Sequence, residues 1–124
     1  MNIRNNRIRN MHKRVLQIPL PAAAAVAALM GAIVGVQAAA TITVVQRGLV
    51  FNKASMSLTK GDRIVFTNED DVIHNIHIFG PGDDEKDLGL QKPGATLSYA
   101  FDKSGAYAVR CNIHPSVKMA VSVK

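Results

Sequence analysis

The residues with the clearest chemistry lie in one stretch, Cys111-Asn112-Ile113-His114-Pro115-Ser116-Val117-Lys118-Met119. It holds the only cysteine of the chain, one of its four histidines and a methionine, all within nine residues. Thiolate, imidazole and thioether form a soft donor set, which suits copper better than magnesium, calcium or manganese. A second imidazole must come from elsewhere, and His74 is the candidate. It starts an apolar run directly after an acidic turn, which places it at a strand end, where loops gather. Cys111 ends another strand, and a sandwich can bring the two ends to one pole. His74, Cys111 and His114 then match the trigonal set of an electron-transfer copper site. A lone histidine in such a run is more often a satisfied half-buried residue. The Cys-x-x-His partner reverses those odds.

Cys111 has competing readings. A buried inert thiol is a common state of free cysteine. A catalytic thiolate needs a histidine base and an oxyanion pocket, and no further polar constellation is evident. Zinc is the rival metal, since one Cys, two His and a fourth ligand can be tetrahedral. Methionine as the fourth group favours copper. His77 points to the opposite face of its strand from His74 and is expected to face solvent. Asn75, next to His74, is either a polar strand-edge residue or a brace that bonds across to the Cys111 loop. Asp83, Asp84, Glu85 and Asp87 read as a solvated loop, with a docking patch as the alternative.

The elements that must position these residues are all short strands. Ala38–Gln46, Met56–Thr59, Arg63–Thr67, Ile73–Phe79, Thr96–Phe101, Ala106–Cys111 and Lys118–Lys124 read as strands, and Leu49–Phe51 as a short extended segment. Gly80–Asp87 reads as irregular. Seven to eight strands with regular turn signals and no convincing helix after residue 40 predict an all-β sandwich with Greek-key connections.

Charge excludes one function class. The net charge is +6, but Arg4, Arg7, Arg9, Lys13 and Arg14 stand in the first fourteen residues. From Thr41 onward ten Lys/Arg face nine Asp/Glu, without the basic footprint of a nucleic-acid-binding face. The basic start, the apolar Ala22–Val36 core and the small residues Ala38-Ala39-Ala40 read as an export signal over residues 1–40, cleaved after Ala38 or Ala40. The alternative is an uncleaved membrane anchor, since Val15–Val36 is long enough to span. A mature domain at 41–124 has 84 residues, and one cysteine cannot staple it by an intramolecular disulfide. A metal is the natural staple.

These residues resemble a known family. Gly105-Ala106-Tyr107-Ala108-Val109-Arg110-Cys111-Asn112-Ile113-His114-Pro115 is similar to the ligand loop of the cupredoxins, the small blue copper proteins. Asp71-Val72-Ile73-His74-Asn75-Ile76-His77 resembles their first-histidine motif, and His74-Asn75-x-His77 is most similar to amicyanin within the plastocyanin, pseudoazurin and amicyanin group. Met56 to Asn68 resembles the family's strand–Gly-Asp–strand segment, so the resemblance covers Thr41 to Lys124.

The resemblance implies one copper ion held by His74, Cys111 and His114, with Asn75 as the bracing asparagine. Pro115 lies beside the exposed edge of His114, the family's electron-exit patch. Met119 is the expected fourth ligand. It stands eight residues after Cys111, the spacing of a plastocyanin loop, whereas Val117 stands at six, the spacing of the short loop. The distance from His114 to the closing strand is that of the short loop. The implied function is a monomeric, periplasmic one-electron carrier, not an enzyme, working between transient redox partners. It has no small-molecule substrate, and it meets the membrane only if the signal is uncleaved. The alternatives are a copper carrier or storage module, and a metal-free interaction domain.

Overall fold

The computed structural model describes residues 31–124. The chain divides into two units at Val34/Gly35, and the second holds every strand among the described residues. Residues 1–30 of the expected export signal lie outside the described residues. Residues 31–40 carry no regular structure and are exposed. No helix among the described residues is long and apolar enough to cross a membrane.

The eight strands are β1 Thr41–Gln46, β2 Ser55–Leu58, β3 Arg63–Asn68, β4 His74–Phe79, β5 Glu85–Gln91, β6 Thr96–Ala100, β7 Gly105–Arg110 and β8 Lys118–Val123. They form two sheets, ordered β1-β3-β6 and β2-β8-β7-β4-β5. Sequence alternation sets which face of each strand is buried. In β8, Met119, Val121 and Val123 are buried while Lys118, Ala120 and Ser122 are exposed, the pattern of a strand with one face on the core. Ile64 and Phe66 from β3 meet Ile76 and Ile78 from β4 and Val109 from β7 in one cluster. Seven of the eight strands correspond to expected segments, with ends shifted by a few residues.

Two segments differ from the sequence reading. Glu85–Asp87, expected within an irregular loop, opens β5, which continues to Gln91 and pairs only with β4. As an edge strand it needs no buried face, and its charges keep other chains from pairing with it. Apolar alternation therefore could not reveal it. Leu49–Phe51 is not extended. Gly48 and Leu49 take φ of 66° and 59°, and only Phe51 makes an isolated bridge, to Gln46. Hydrogen bonds from neighbouring elements hold the turn in this left-handed conformation, which is uncommon for a leucine.

Strand order brings distant residues to one pole. β4 runs antiparallel to β7, with His77 opposite Arg110. The start of β4 therefore lies beside the end of β7, and His74 meets Cys111. A bulge in β5 at Leu88 shifts the register between Ile76 and His77, with Gly89 at a φ of 91°. Side chains are rarely accommodated at such a φ, and glycine accepts it.

Candidate metal centre

His74 is fully buried and Cys111 is 4% exposed, while His114 is only half-buried at the rim. Their donor atoms converge. The Cys111 Sγ lies 3.7 Å from His74 Nδ1 and 3.9 Å from His114 Nδ1, and the two Nδ1 atoms are 3.1 Å apart. A metal with bonds of about 2.0–2.1 Å to nitrogen and about 2.3 Å to sulfur, spread trigonally, needs N···S separations of about 3.8 Å. With those bond lengths, the observed N···N distance corresponds to an N–metal–N angle of about 98°. The three side chains therefore fit a metal of this size without rearrangement. Among the described residues this is the cluster of histidine, cysteine and acidic groups that could hold a metal ion.

Each donor is fixed by a second contact. His74 directs its other nitrogen, Nε2, to Asp70 Oδ2 at 2.8 Å. That bond fixes the orientation of the ring and leaves Nδ1 as the nitrogen for ligation. Asp70 also accepts the Gly48 and Leu49 amides at 2.6 and 3.1 Å. Partial burial raises the Asp70 pKa, but the hydrogen bonds from His74, Leu49 and Gly48 outweigh it and hold the carboxyl below its ordinary value. Ser116 in the ligand loop donates to Leu49 O at 2.7 Å. The strained Leu49 turn thus straps the His74 segment to the His114 loop.

Asn75 joins the two ligand segments more directly. Its backbone amide donates to Cys111 Sγ at 3.3 Å, and its side-chain Oδ1 accepts the Asn112 amide at 2.6 Å. Its Nδ2 donates to Asp87 Oδ1 at 2.9 Å, an atom that also accepts the Gly89 amide. The β5 bulge therefore anchors Asn75 in place. The amide aimed at sulfur fixes where the Cys111 side chain sits beside His74.

The other expected site residues fall into two groups. Pro115 is exposed beside His114. Met119 is buried in β8 opposite Val109. Val117 is fully buried, and its carbonyl accepts the Cys111 amide at 2.9 Å. His77 does lie on the face away from His74, yet it is not open to solvent. Its side chain is 13% exposed, stacked on Phe79, with Nδ1 2.7 Å from Asn112 Nδ2 and Nε2 2.6 Å from Glu85 Oε1. Strand β5, absent from the sequence reading, supplies that cover. Asp84 pairs with Lys103 at 2.6 Å, so the acidic residues at 84, 85 and 87 all have partners within the fold.

Asp70 and Ser116 were missed as site residues. A carboxylate four positions before a ligand histidine is a usable signal for the first. Nothing local signals the second, because its partner is 67 positions away.

A two-sheet β-sandwich with a His-Cys-His set at one pole defines a cupredoxin with a type 1 copper site. The chain belongs to the copper-binding proteins of the plastocyanin/azurin family, whose profile it matches over residues 38–124. Copper is the metal, and membership makes the protein an electron-transfer protein rather than an enzyme. Two curated relatives are each named methylamine utilization protein MauL. One, from Methylophilus methylotrophus, is 33% identical over 60 residues, 47% of this chain and 34% of its own. The other, from Methylorubrum extorquens, is 33% identical over 63 residues, 51% of this chain and 55% of its own. The chain thus spans about a third to a half of these relatives' lengths. Among solved structures it is similar to a methionine-to-alanine mutant of amicyanin with Cu(I), with a TM-score of 0.62 and 22% identity, covering 68% of this chain and 82% of that one. An oxidized methionine-to-leucine mutant of amicyanin matches with the same score and identity over 67% and 81%. That likeness bears on fold alone.

Proposed function

We propose that this chain is exported to the periplasm and carries single electrons between partner proteins, holding copper through His74, Cys111 and His114. The convergence of those three side chains carries the reading. Bound copper supplies a one-electron Cu(I)/Cu(II) couple. The chain's own residues supply rigidity. Asp70, Asn75 and the Cys111–Val117 hydrogen bond fix the donors from three sides before any metal arrives, so both oxidation states meet one geometry. Burial of His74 and Cys111 keeps water from the donors.

His114 is the donor that reaches the rim, with Ile113 48% exposed and Pro115 exposed beside it. A small apolar contact of this kind suits the brief encounters of redox partners, which bury little area. The relatives' names make proteins of methylamine utilization the first donor class to test. Export is supported by the basic and apolar residues before Ala38.

The test is to add Cu(II) to the purified domain and record the visible spectrum. An intense thiolate-to-copper charge-transfer band, bleached by ascorbate and restored by an oxidant, is the expected result. A colourless complex, or a band that survives loss of the Cys111 thiol in Cys111→Ala, would overturn the assignment.

A further inference from the structure

We infer that Val117, not Met119, faces the fourth side of the His74–Cys111–His114 set, so that the centre is a three-donor site closed by an isopropyl group. This inference rests on the copper reading above.

The register of β7 and β8 carries it. Val109 pairs with Met119 and Arg110 with Lys118. One further step along the ladder sets Cys111 opposite Val117, and the Cys111 amide bonds to the Val117 carbonyl at 2.9 Å. The chain is tied again on the loop side, where the Val117 amide donates to His114 O at 3.0 Å. Val117 is thus clamped between two of the three donors by backbone hydrogen bonds, and no side-chain rotation can move it away.

Its side chain points inward. Val117 is 0% exposed and shares the parity of Met119, Val121 and Val123, the buried face of β8. Directly opposed residues on one face of an antiparallel pair have Cβ atoms about 4.5–5.5 Å apart, so the isopropyl group lies against the Cys111 side chain. Met119 is two residues further into the strand, about 6.8 Å beyond Val117 at the usual antiparallel rise. Its neighbour across the ladder is Val109, a fully buried core residue. To reach the donors its thioether would have to pass the Val117 side chain, which fills the intervening layer. Met119 is therefore a core residue, and its appearance within the soft-ligand stretch is a coincidence of spacing.

One consequence follows for the redox state. Axial donation is one of the levers on the potential of such a site, and an apolar fourth side favours the lower-charged Cu(I) state.

The experiment compares the copper-loaded full chain with Met119→Leu and Val117→Met, by visible and electron paramagnetic resonance spectra and by midpoint potential. Met119→Leu nearly conserves volume, so folding is expected to survive. The inference expects its spectra and potential to superimpose on those of the unmodified protein. Val117→Met is expected to alter both spectra and lower the potential by supplying the missing thioether. A charge-transfer band that changes in Met119→Leu overturns the inference while leaving the copper reading intact. An unmodified protein without any such band overturns both. Should Val117→Met fail to fold, Met119→Leu decides alone.

Discussion

Replacing Asn75 by Ala removes one side chain and tests how far the metal site is built before metal binds. The amide makes two bonds, accepting from the Asn112 amide at 2.6 Å and donating to the Asp87 carboxylate at 2.9 Å. A neutral hydrogen bond contributes about 0.5–1.5 kcal/mol and one to a charged group about 1.5–3 kcal/mol. Asp87 is exposed, so the lower end applies to it, and the two together contribute about 2–3 kcal/mol. With an unfolding entropy of about 2.1 cal/mol/K per residue, an 84-residue domain loses about 11–17 °C of Tm for that change.

The assay is thermal unfolding of the metal-free protein followed by circular dichroism, beside the metal-free parent. Copper titration of both proteins at a temperature where both are folded gives the second readout. Affinity is expected to fall as well, because the Cys111 and His74 segments are no longer locked together. A Tm drop under about 3 °C would refute the bracing argument, since both bonds would then be replaced by water at no cost. A full Tm drop with unchanged copper affinity and spectrum would refute its second half, that the bridge serves the donors.

Three further outcomes are expected. Asp70→Asn keeps an acceptor for His74 Nε2 but removes the negative charge beside the ligand, so the copper potential should rise, as cyclic voltammetry would measure; an unchanged potential would deny Asp70 that role. Gln46 is fully buried with neither amide atom bonded to protein, so Gln46→Leu should stabilise the domain by about 1–3 kcal/mol in denaturant unfolding, and a loss of stability would mean that the amide is satisfied by water. Asp62 accepts the amides of Ala40 and Thr59 at 2.8 Å each, and the Ala40 bond foremost holds its pKa below the ordinary 3.8. A lowered folded-state pKa contributes stability above about 3.8 that disappears as pH falls through the folded value. Asp62→Asn should therefore flatten the acid limb of the stability curve, as should a domain whose chain begins at Thr41 and so lacks Ala40. Equal acid slopes in parent and variant would remove Asp62 from that account.

What the sequence determined by itself was the chemistry. One cysteine in the Thr41–Lys124 domain, a histidine three residues on and a His-Asn pair at a strand start point to a soft His-Cys-His set, with Met119 as its expected fourth donor, because few other residue types bind copper in this way. Alternation in β2, β6 and β8, with the β-forming residues and turn signals of the other segments, likewise pointed to the sandwich. Tertiary structure decided everything that depends on pairing. The antiparallel placement of β4 against β7 brought His74 to Cys111 across 37 positions, and register set Met119 opposite Val109 while the Val117 carbonyl took the Cys111 amide. Strand β5 was hidden because an edge strand has little buried face to imprint on its residues. The strap from Asp70 through Leu49 to Ser116 was equally hidden, because hydrogen bonds between loops leave no period in the sequence. Local pattern records which face of a strand is buried. Only the closed fold records which strands are neighbours, and at this pole the neighbours fix the geometry around the metal.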